Sequence, residues 1–593
     1  MSFDDDYVEP PDDSTRGVEY VPVATVELAN PQRRMRNMTL FFLFIISLYA
    51  VKLIDVQIIH GPQYAKAAEL SRLDTVTIQA QRGSITDVNG VVLANTIMSR
   101  NITVDQTKLT RPQEYAKKLS PILNIPEAEL VKRLSGKQQF AYVAKQVPVE
   151  TWKKVSDLDL VGIMSESNTT RVYPASTVAS NILGYVGADG HGLGGLEYSL
   201  DKSMSGTDGS LTVERVNGRE IPTSARNSVD PINGTTYRLT INSDLQAVAE
   251  VALAQQVKKA KALGGQVVVM DPKTFSILAM ASSPGFDPNK PFTTTDSAKR
   301  NSTVTDVFEP GSTAKVMTMA AVLEEKASVP TTRYVIPSKL KRADRTFHDD
   351  VPHGIWHLTL NGILAKSSNM GSILASEKIG KNTFYSYLKK FGIGDPTGLH
   401  FPGESSGILP KLKNWSGSTF PTIAFGQGLS VTALQVADVY STIANNGVRL
   451  TPTLVAGSTD SKGNYTASVK SSGIRVISPS TAKSLRMMLE SVVSAEGTAP
   501  QAQIDGYHVA GKTGTANRIG PNGTYSGYTA SFVGMAPAEN PSLVVAVMIQ
   551  RPQGAHFGSL VAAPVFKTVM TFALAQQRIP PSPAKLANIP VKW

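Results

Sequence analysis

A serine and a lysine three residues apart, Ser312 and Lys315, open a run that continues with Val316, Met317, Met319, Ala320, Val322 and Leu323. Apolar residues at that spacing predict a helix. On a helix, positions i and i+3 share a face one turn apart. A serine hydroxyl is a poor nucleophile until a neighbouring base takes its proton. A lysine can be that base only if its pKa falls from about 10.4 toward neutrality, which burial and a second cation both favour. The helix N-terminus adds partial positive charge beside the reacting centre. Taken alone, the spacing is a weak signal. It recurs at Ser199/Lys202, Ser338/Lys341 and Ser480/Lys483, the last with the same Ser-Thr-Ala-Lys letters. Serine at a helix start is more often a cap than a nucleophile.

Two further elements follow in order. Ser367-Ser368-Asn369 lies between short helical patterns at 360–366 and 370–379. Read alone it is a polar turn. Lys512-Thr513-Gly514-Thr515 follows an expected strand at 507–510 and precedes strands at 529–535 and 542–550, a meander with the lysine on its first strand. The same lysine completes a phosphate-loop pattern from Gly506 to Thr513. That loop needs a strand before the first glycine and a helix at the lysine, and the surrounding residues offer neither. His348, Asp349, Asp350, His353 and His357 crowd one short stretch. Their spacing fits none of the usual zinc signatures, and a solvated loop over the site is the expectation.

These residues need a frame. With 593 residues, two to four folded units are expected. Hydrophobic residues at 41% and charged residues at 18% exclude a chain disordered throughout. The absence of cysteine excludes disulfides, thiolate catalysis and Cys-ligated metals. Residues 1–37 carry eight acidic and four basic side chains and show no apolar period, so a disordered tail is expected; the remainder then carries +15. Residues 38–51 hold no charge, and apolar character continues to Ile59, interrupted by Lys52 and Asp55. That length suits an uncleaved transmembrane anchor over 38–59. Arg33, Arg34 and Arg36 just before it place the N-terminus in the cytoplasm and the rest outside.

Beyond the anchor, 75–80 alternates like a strand, and Arg82 to Leu93 reads as a hairpin around Asn89-Gly90. Six glycines within 184–195 suggest an ordered loop or hinge. A new unit is expected near Thr236, with a strand at 237–241, a helix over 243–261 capped by Ser243 or Asp244, and strands at 266–270 and 276–280. The segment after 577 is rich in proline and expected to be irregular.

The order Ser312/Lys315, Ser367/Asn369, Lys512/Thr513/Gly514 resembles that of the penicillin-binding proteins and serine β-lactamases. Ser480 fails this test, because no Ser-x-Asn stands between it and Lys512. Residues 82–94, Arg171-Val172-Tyr173-Pro174 and Gly194-Gly195-Leu196-Glu197-Tyr198 resemble blocks of the pedestal of class B penicillin-binding proteins. Residues 424–428 and 562–566 resemble blocks of their transpeptidase domain. The whole is similar to the division-specific, FtsI-type peptidoglycan D,D-transpeptidases. The resemblance implies an α+β, β-lactamase-like transpeptidase domain over 236–577, with an antiparallel sheet flanked by helices. A mostly β pedestal over 60–235 and the anchor precede it, and a proline-rich tail over 578–593 follows.

It also implies roles. Ser312 attacks the carbonyl between the two terminal D-alanines of a stem peptide, and Lys315 accepts its proton. Ser367 relays a proton to the leaving amine. Asn369 holds the substrate amide and helps orient Lys315. Lys512 supplies charge, Thr513 and Thr515 meet the substrate carboxylate beside Gly514, and the N–H groups of Ser312 and Thr515 form the oxyanion hole. No metal or organic cofactor is implied. The implied partners are stem peptides ending in D-Ala-D-Ala, β-lactams, an FtsW-type membrane glycosyltransferase and other division proteins at the septal membrane.

Three other readings share these residues. One is an elongation enzyme of the same architecture. Another is a hydrolase of the same fold, either carboxypeptidase or β-lactamase. The third is a non-catalytic scaffold with a vestigial site, against which the intact Ser312, Lys315, Asn369 and Lys512 stand. A nucleic-acid binder, suggested by charge alone, lacks a recognisable reading module.

Overall fold

The structure, a computed structural model, describes residues 31–593 apart from 217–218, 221–226, 470, 521 and 583–587. Of the tail expected over 1–37, residues 1–30 lie outside the described residues. Residues 31–37 are helical, because the helix begins at Pro31 and not at Met38. Charge marked the expected boundary, but arginine is a good helix former, and proline suits a first helical position. The helix Pro31–Ile54 continues into a π turn, Asp55–Ile59. At 29 residues it is long and apolar enough to cross a bilayer, and its apolar side chains are exposed all round. The two charges that interrupt it, Lys52 and Asp55, pair at 2.7 Å.

The chain divides into two compact units, residues 1–76 with 211–228 and residues 77–210 with 229–593. The first holds the long helix, the helix Gly61–Leu70 and most of a small sheet in which Leu73–Ile78 lies beside Gly209–Val216.

In the second unit the expected hairpin forms between Ile85–Thr86 and Val92–Val104. Asp87 closes its turn by accepting the N–H groups of Asn89 and Val91. A seven-stranded sheet runs Tyr465–Ala467, Val455–Thr459, Thr236–Leu239, Ile85–Thr86, Val92–Val104 and Ala141–Pro148, with Ile163–Val172 also paired to Val92–Val104. A small separate core of Ile102, Leu119, Leu130 and Val143 packs helices Pro112–Leu123 and Glu127–Leu134 on its far part.

The three sequence blocks of the pedestal meet at one buried carboxylate. Arg82 Nε and Arg171 Nε each lie 2.7 Å from a Glu197 oxygen, and Arg82 also pairs with Asp201 at 2.6 Å. Glu197 is fully buried, so two arginines are what make its ionised form tolerable there. The glycine-rich segment is ordered around this cluster. Gly184 has φ +78°, and a Cβ there would lie 1.8 Å from the Gly194 carbonyl oxygen, so no side chain fits.

A five-stranded antiparallel sheet orders as Ile277–Ser283, Gly264–Met270, Leu543–Gln550, Tyr525–Ala536, Ala510–Ile519. Every residue of Gly264–Met270 and Leu543–Gln550 is buried, so helices cover both faces. Ser243–Lys259, Ala563–Gln576 and the wholly buried Ala433–Ala444 provide that cover. The first of these is capped by Asn242, which accepts the Leu245 N–H, and not by Ser243 or Asp244. The Ser243 hydroxyl is taken by Asp87 at 2.8 Å. The fold is α+β, and Ala510–Ile519, which carries Lys512, is its edge strand.

Candidate active site

Ser312 sits in a 3-10 turn, Gly311–Ala314, that leads into the helix Lys315–Glu324. In a 3-10 turn, positions i and i+3 eclipse one another, which keeps Ser312 and Lys315 on one face as the spacing predicted. The turn is held from outside. Gly311 donates to the Gly426 carbonyl at 2.9 Å, Gly428 donates to the Glu309 carboxylate at 2.9 Å, and Thr318 Oγ1 donates to the Ala424 carbonyl at 2.7 Å. The 424–428 block is thus the cradle of the turn that carries Ser312.

Lys315 is fully buried. Its Nζ donates to Asn369 Oδ1 at 2.7 Å, to the Ser367 carbonyl, and to Ser367 Oγ at 3.3 Å. Lys512, equally buried, reaches the same hydroxyl at 2.9 Å and also the Thr513 carbonyl and hydroxyl, each at 3.2 Å. One serine hydroxyl therefore bridges two buried amines. Burial pushes Lys315 down to about 8, against the opposing pull of Asp350 and Asp349. Burial, then the Lys315 charge, pushes Lys512 well below the usual lysine range. Ser367 Oγ is thus flanked by two amines whose charge burial disfavours. Ser367 itself has φ +61°, a costly conformation for a residue with a Cβ.

Gly514 explains how the edge strand reaches the turn that carries Ser312. A Cβ there would lie 2.4 Å from Ser531 Oγ, 2.9 Å from the Pro310 carbonyl oxygen and 3.0 Å from Thr313 Cγ2. Only glycine lets the strand approach that closely. Ser312, Ser367, Thr513 and Thr515 line one cleft of about 200 Å³, with Asp350, Trp356, Thr498 and Phe557 among the other walls. Thr498 and Thr513 hydroxyls are 3.0 Å apart. An edge strand leaves one row of its backbone groups unpaired by the sheet, and here that edge borders the cleft. The Ser312 hydroxyl makes no hydrogen bond among the described residues and is free to meet a substrate.

The competing serines lie elsewhere. Ser199, Ser338 and Ser480 are exposed, as are Lys202, Lys341 and Lys483. The cap of the helix Pro479–Val493 is Ser478, which accepts the Thr481 N–H, so Ser480 is not a cap either. Lys512 lies within the strand Ala510–Ile519, and residues 507–509 precede that strand instead of forming one, so no phosphate loop exists.

The His/Asp cluster is a solvated loop over the site in part, with His348, Asp350 and His357 exposed, but two of its side chains turn inward. Asp349 and His353 have side chains only 4% and 5% exposed. Asp349 Oδ1 accepts the Asn369 and Met370 N–H groups, and Oδ2 accepts the Ser368 hydroxyl at 2.7 Å. It thereby caps the helix Asn369–Glu377 together with Ser368, which accepts the Gly371 N–H. Asp350 Oδ1 lies 3.3 Å from Asn369 Nδ2. His357 points away, edge-on to Trp593. Asp349, Asp350, His353 and Thr498 are the site residues that spacing did not single out. The one available signal was two acids and a histidine just upstream of Ser-x-Asn, and it does not distinguish burial from solvation.

Both parts of the second unit are similar to known protein families. The model of the penicillin binding protein transpeptidase domain matches residues 265–571, and that of the penicillin-binding protein dimerisation domain matches 77–239. The chain is 37% identical to penicillin-binding protein PbpB of Mycolicibacterium smegmatis, over 93% of this chain and 91% of that one. It is 33% identical to peptidoglycan D,D-transpeptidase FtsI of Escherichia coli K12, over 89% of each. The crystal structure of penicillin binding protein 3 of Mycobacterium tuberculosis, complexed with aztreonam, superposes with a TM-score of 0.69 at 31% identity, over 87% of this chain and all of that one.

Proposed function

The chain belongs to the class B penicillin-binding proteins, the peptidoglycan D,D-transpeptidases, and from that premise we propose that Ser312 is its acylated nucleophile and that it works in septal wall synthesis. The supporting observation is the convergence of two buried amines, Lys315 and Lys512, on the Ser367 hydroxyl, one turn from Ser312. Ser312 Oγ attacks the carbonyl between the terminal D-alanines of a stem peptide as its proton passes to Lys315. The N–H groups of Ser312 and Thr515 hold the oxyanion. The Ser367 hydroxyl, fed by the amine pair, delivers a proton to the departing nitrogen. The C–N bond breaks and D-alanine leaves with that proton. An amine of a neighbouring stem peptide then attacks the ester, releases Ser312 and completes the cross-link. Asn369 holds the substrate amide and Lys315, and Thr513 and Thr515 receive the carboxylate beside Lys512. β-Lactams enter the same path and stop at the acyl-enzyme.

The apolar helix Pro31–Ile59 anchors the protein, with Arg33, Arg34 and Arg36 on the cytoplasmic side and the site outside. An FtsW-type glycosyltransferase is the partner that supplies glycan strands. Similarity to FtsI and PbpB supports the septal assignment.

The test is covalent labelling of the full chain in detergent by a fluorescent penicillin, comparing wild type, Ser312→Ala and Ser480→Ala. Label lost in Ser312→Ala alone, and persistent for many minutes in wild type, is expected. Rapid loss of label from wild type would mean a hydrolase, and absence of label would mean a scaffold.

A further inference from the structure

Lys366 stands between two hollows. On one side it lines the cleft of about 200 Å³ together with Ser312, Ser367 and Thr513. On the other it lines a groove of about 710 Å³, walled by Glu490, Ser494, Ala495 and Glu496 and by the segment 588–592. Both walls are held in place from behind. Gly497 donates to the Ser494 carbonyl at 3.0 Å, and Ala499 to the Val492 carbonyl at 2.9 Å. The Thr359 hydroxyl donates to the Pro590 carbonyl at 2.5 Å, and Asn361 Nδ2 to the Ile589 carbonyl at 2.9 Å. At the shared rim, Lys366 Nζ donates to the Glu496 carbonyl at 2.6 Å. The groove is therefore preformed, as ligand sites usually are, and it is continuous with the cleft through Lys366.

The cleft itself is smaller than the ~300–1,000 Å³ of ordinary small-molecule sites. It takes the end of one peptide, and a cross-link needs two. Aminolysis of the ester is its formation run backwards with a different amine. The attacking nitrogen therefore arrives along the path by which the D-alanine nitrogen left, and the second peptide enters at the leaving-group end. With the D-alanine carboxylate at Thr513 and Thr515, that end is the one beside Thr498, whose hydroxyl is 3.0 Å from that of Thr513. Thr498 stands two residues from Glu496, and Ser367 directly follows Lys366. The groove thus opens where the leaving group departs. We propose that it is the acceptor subsite, which receives a peptide bearing a primary amine on a side chain and directs that amine onto the Ser312 ester. This deepens the transpeptidase reading and rests on it. Glu490, Glu496, Lys366 and Lys592 give the groove both signs of charge, which suits a peptide that carries an ammonium and carboxylates together. The amine attacks in its neutral form. Its nitrogen bonds to the acyl carbon, the bond from that carbon to Ser312 Oγ breaks, and the proton shed by the nitrogen returns to Ser312 through Ser367 and Lys315.

The test sets two acceptors in competition for one acyl-enzyme. The full chain in detergent is given a thioester of N-benzoyl-D-alanine as donor, with two amines at equal concentration. One is D-alanine, which needs only the vacated leaving-group position. The other is a tripeptide, L-alanyl-γ-D-glutamyl-meso-diaminopimelate or its L-lysine counterpart, which has to extend beyond the cleft. Mass spectrometry gives the ratio of the two adducts. In wild type the adduct of one of the two tripeptides is expected to exceed that of D-alanine. Ala495→Trp places a large side chain in the groove from an exposed position, and the ratio is expected to fall about tenfold or more. Glu496→Lys reverses one exposed charge, and the ratio is expected to fall about fivefold. A variant that merely disturbs the reacting groups lowers both adducts together and leaves the ratio where it was. A wild-type ratio in Ala495→Trp would overturn the proposal, as would a wild type that favours D-alanine over both tripeptides. If Ala495→Trp does not fold, Glu496→Lys decides alone. Failure of wild type to consume the thioester or to label at Ser312 would instead overturn the transpeptidase assignment, so the two failures are distinguishable.

Discussion

At the scale of the residue, the site turns on how two lysines behave out of water. Removing an ammonium from water disfavours its charge, and a second ammonium nearby disfavours it again. The structure supplies both effects, and Ser367 Oγ joins the two amines. With Lys315 near 8, the neutral amine is the minority form at neutral pH and becomes the majority as pH rises. Acylation by a penicillin should therefore climb through about pH 8 and level off above it. Lys315→Ala should lose about 10²–10⁴ in acylation rate and the climb with it, while thermal unfolding holds, since removing a buried amine relieves desolvation. A rate profile flat from neutral to alkaline pH in wild type would count against Lys315 as the base.

At the scale of the element, the site is assembled by close approach. The edge strand Ala510–Ile519 lies on the Pro310–Thr313 turn because Gly514 has no side chain. Gly514→Val should push the two apart. A displacement of that kind is worth about a hundredfold in acylation, and circular dichroism should show the fold retained. Unchanged acylation would mean that the strand yields without cost. The Ser-x-Asn turn is braced by Asp349, and the helix that precedes it is tied at its start to the segment 588–593. There Val591 O and Pro590 O accept from Thr359, and Asn361 Nδ2 donates to Ile589 O. Trp593 Nε1 donates to the Tyr334 and Leu358 carbonyls. The tail was expected to be irregular, and its proline content does discourage a helix. Its described end nevertheless satisfies backbone groups at the start of the helix Leu360–Ala365, which leads to Ser367.

At the scale of the whole molecule, the buried Glu197 is the pin of the 77–239 part. It holds Arg82 and Arg171, residues far apart in sequence, in one place. Glu197→Ala leaves two buried guanidiniums facing an empty position, a loss of about 3–5 kcal/mol. Limited proteolysis of the full chain should then cut first within 77–239, and the unfolding midpoint should fall. Wild-type resistance in the variant would show that the arginines find other partners. The seven-stranded sheet joins Thr236–Leu239 to Ile85–Thr86, so such damage has a backbone route toward the transpeptidase part.

The sequence by itself determined the order and identity of the groups that the structure gathers around Ser367 and the cleft. Ser312, Lys315, Ser367, Asn369 and Lys512 were legible because their proposed chemistry is tied to residue type, and their order excluded the look-alike Ser480/Lys483 pair. The long apolar helix was legible because a membrane span is a matter of composition and length. Helix ends were less so: Asn242 and Ser478 displaced the expected caps by one or two residues, since which of several polar residues turns inward depends on neighbours such as Asp87. The burial of Asp349 and His353 was not legible at all. Acids and histidines in a row look the same in water and in a packed site, and only the contacts of Asp349 with Ser368, Asn369 and His353 decided which. The depth of Lys315 and Lys512 was likewise decided by the fold. A lysine's pKa is set by the water and charges around it, and these are arranged by residues well outside its own helix or strand, such as Ser367 for both lysines.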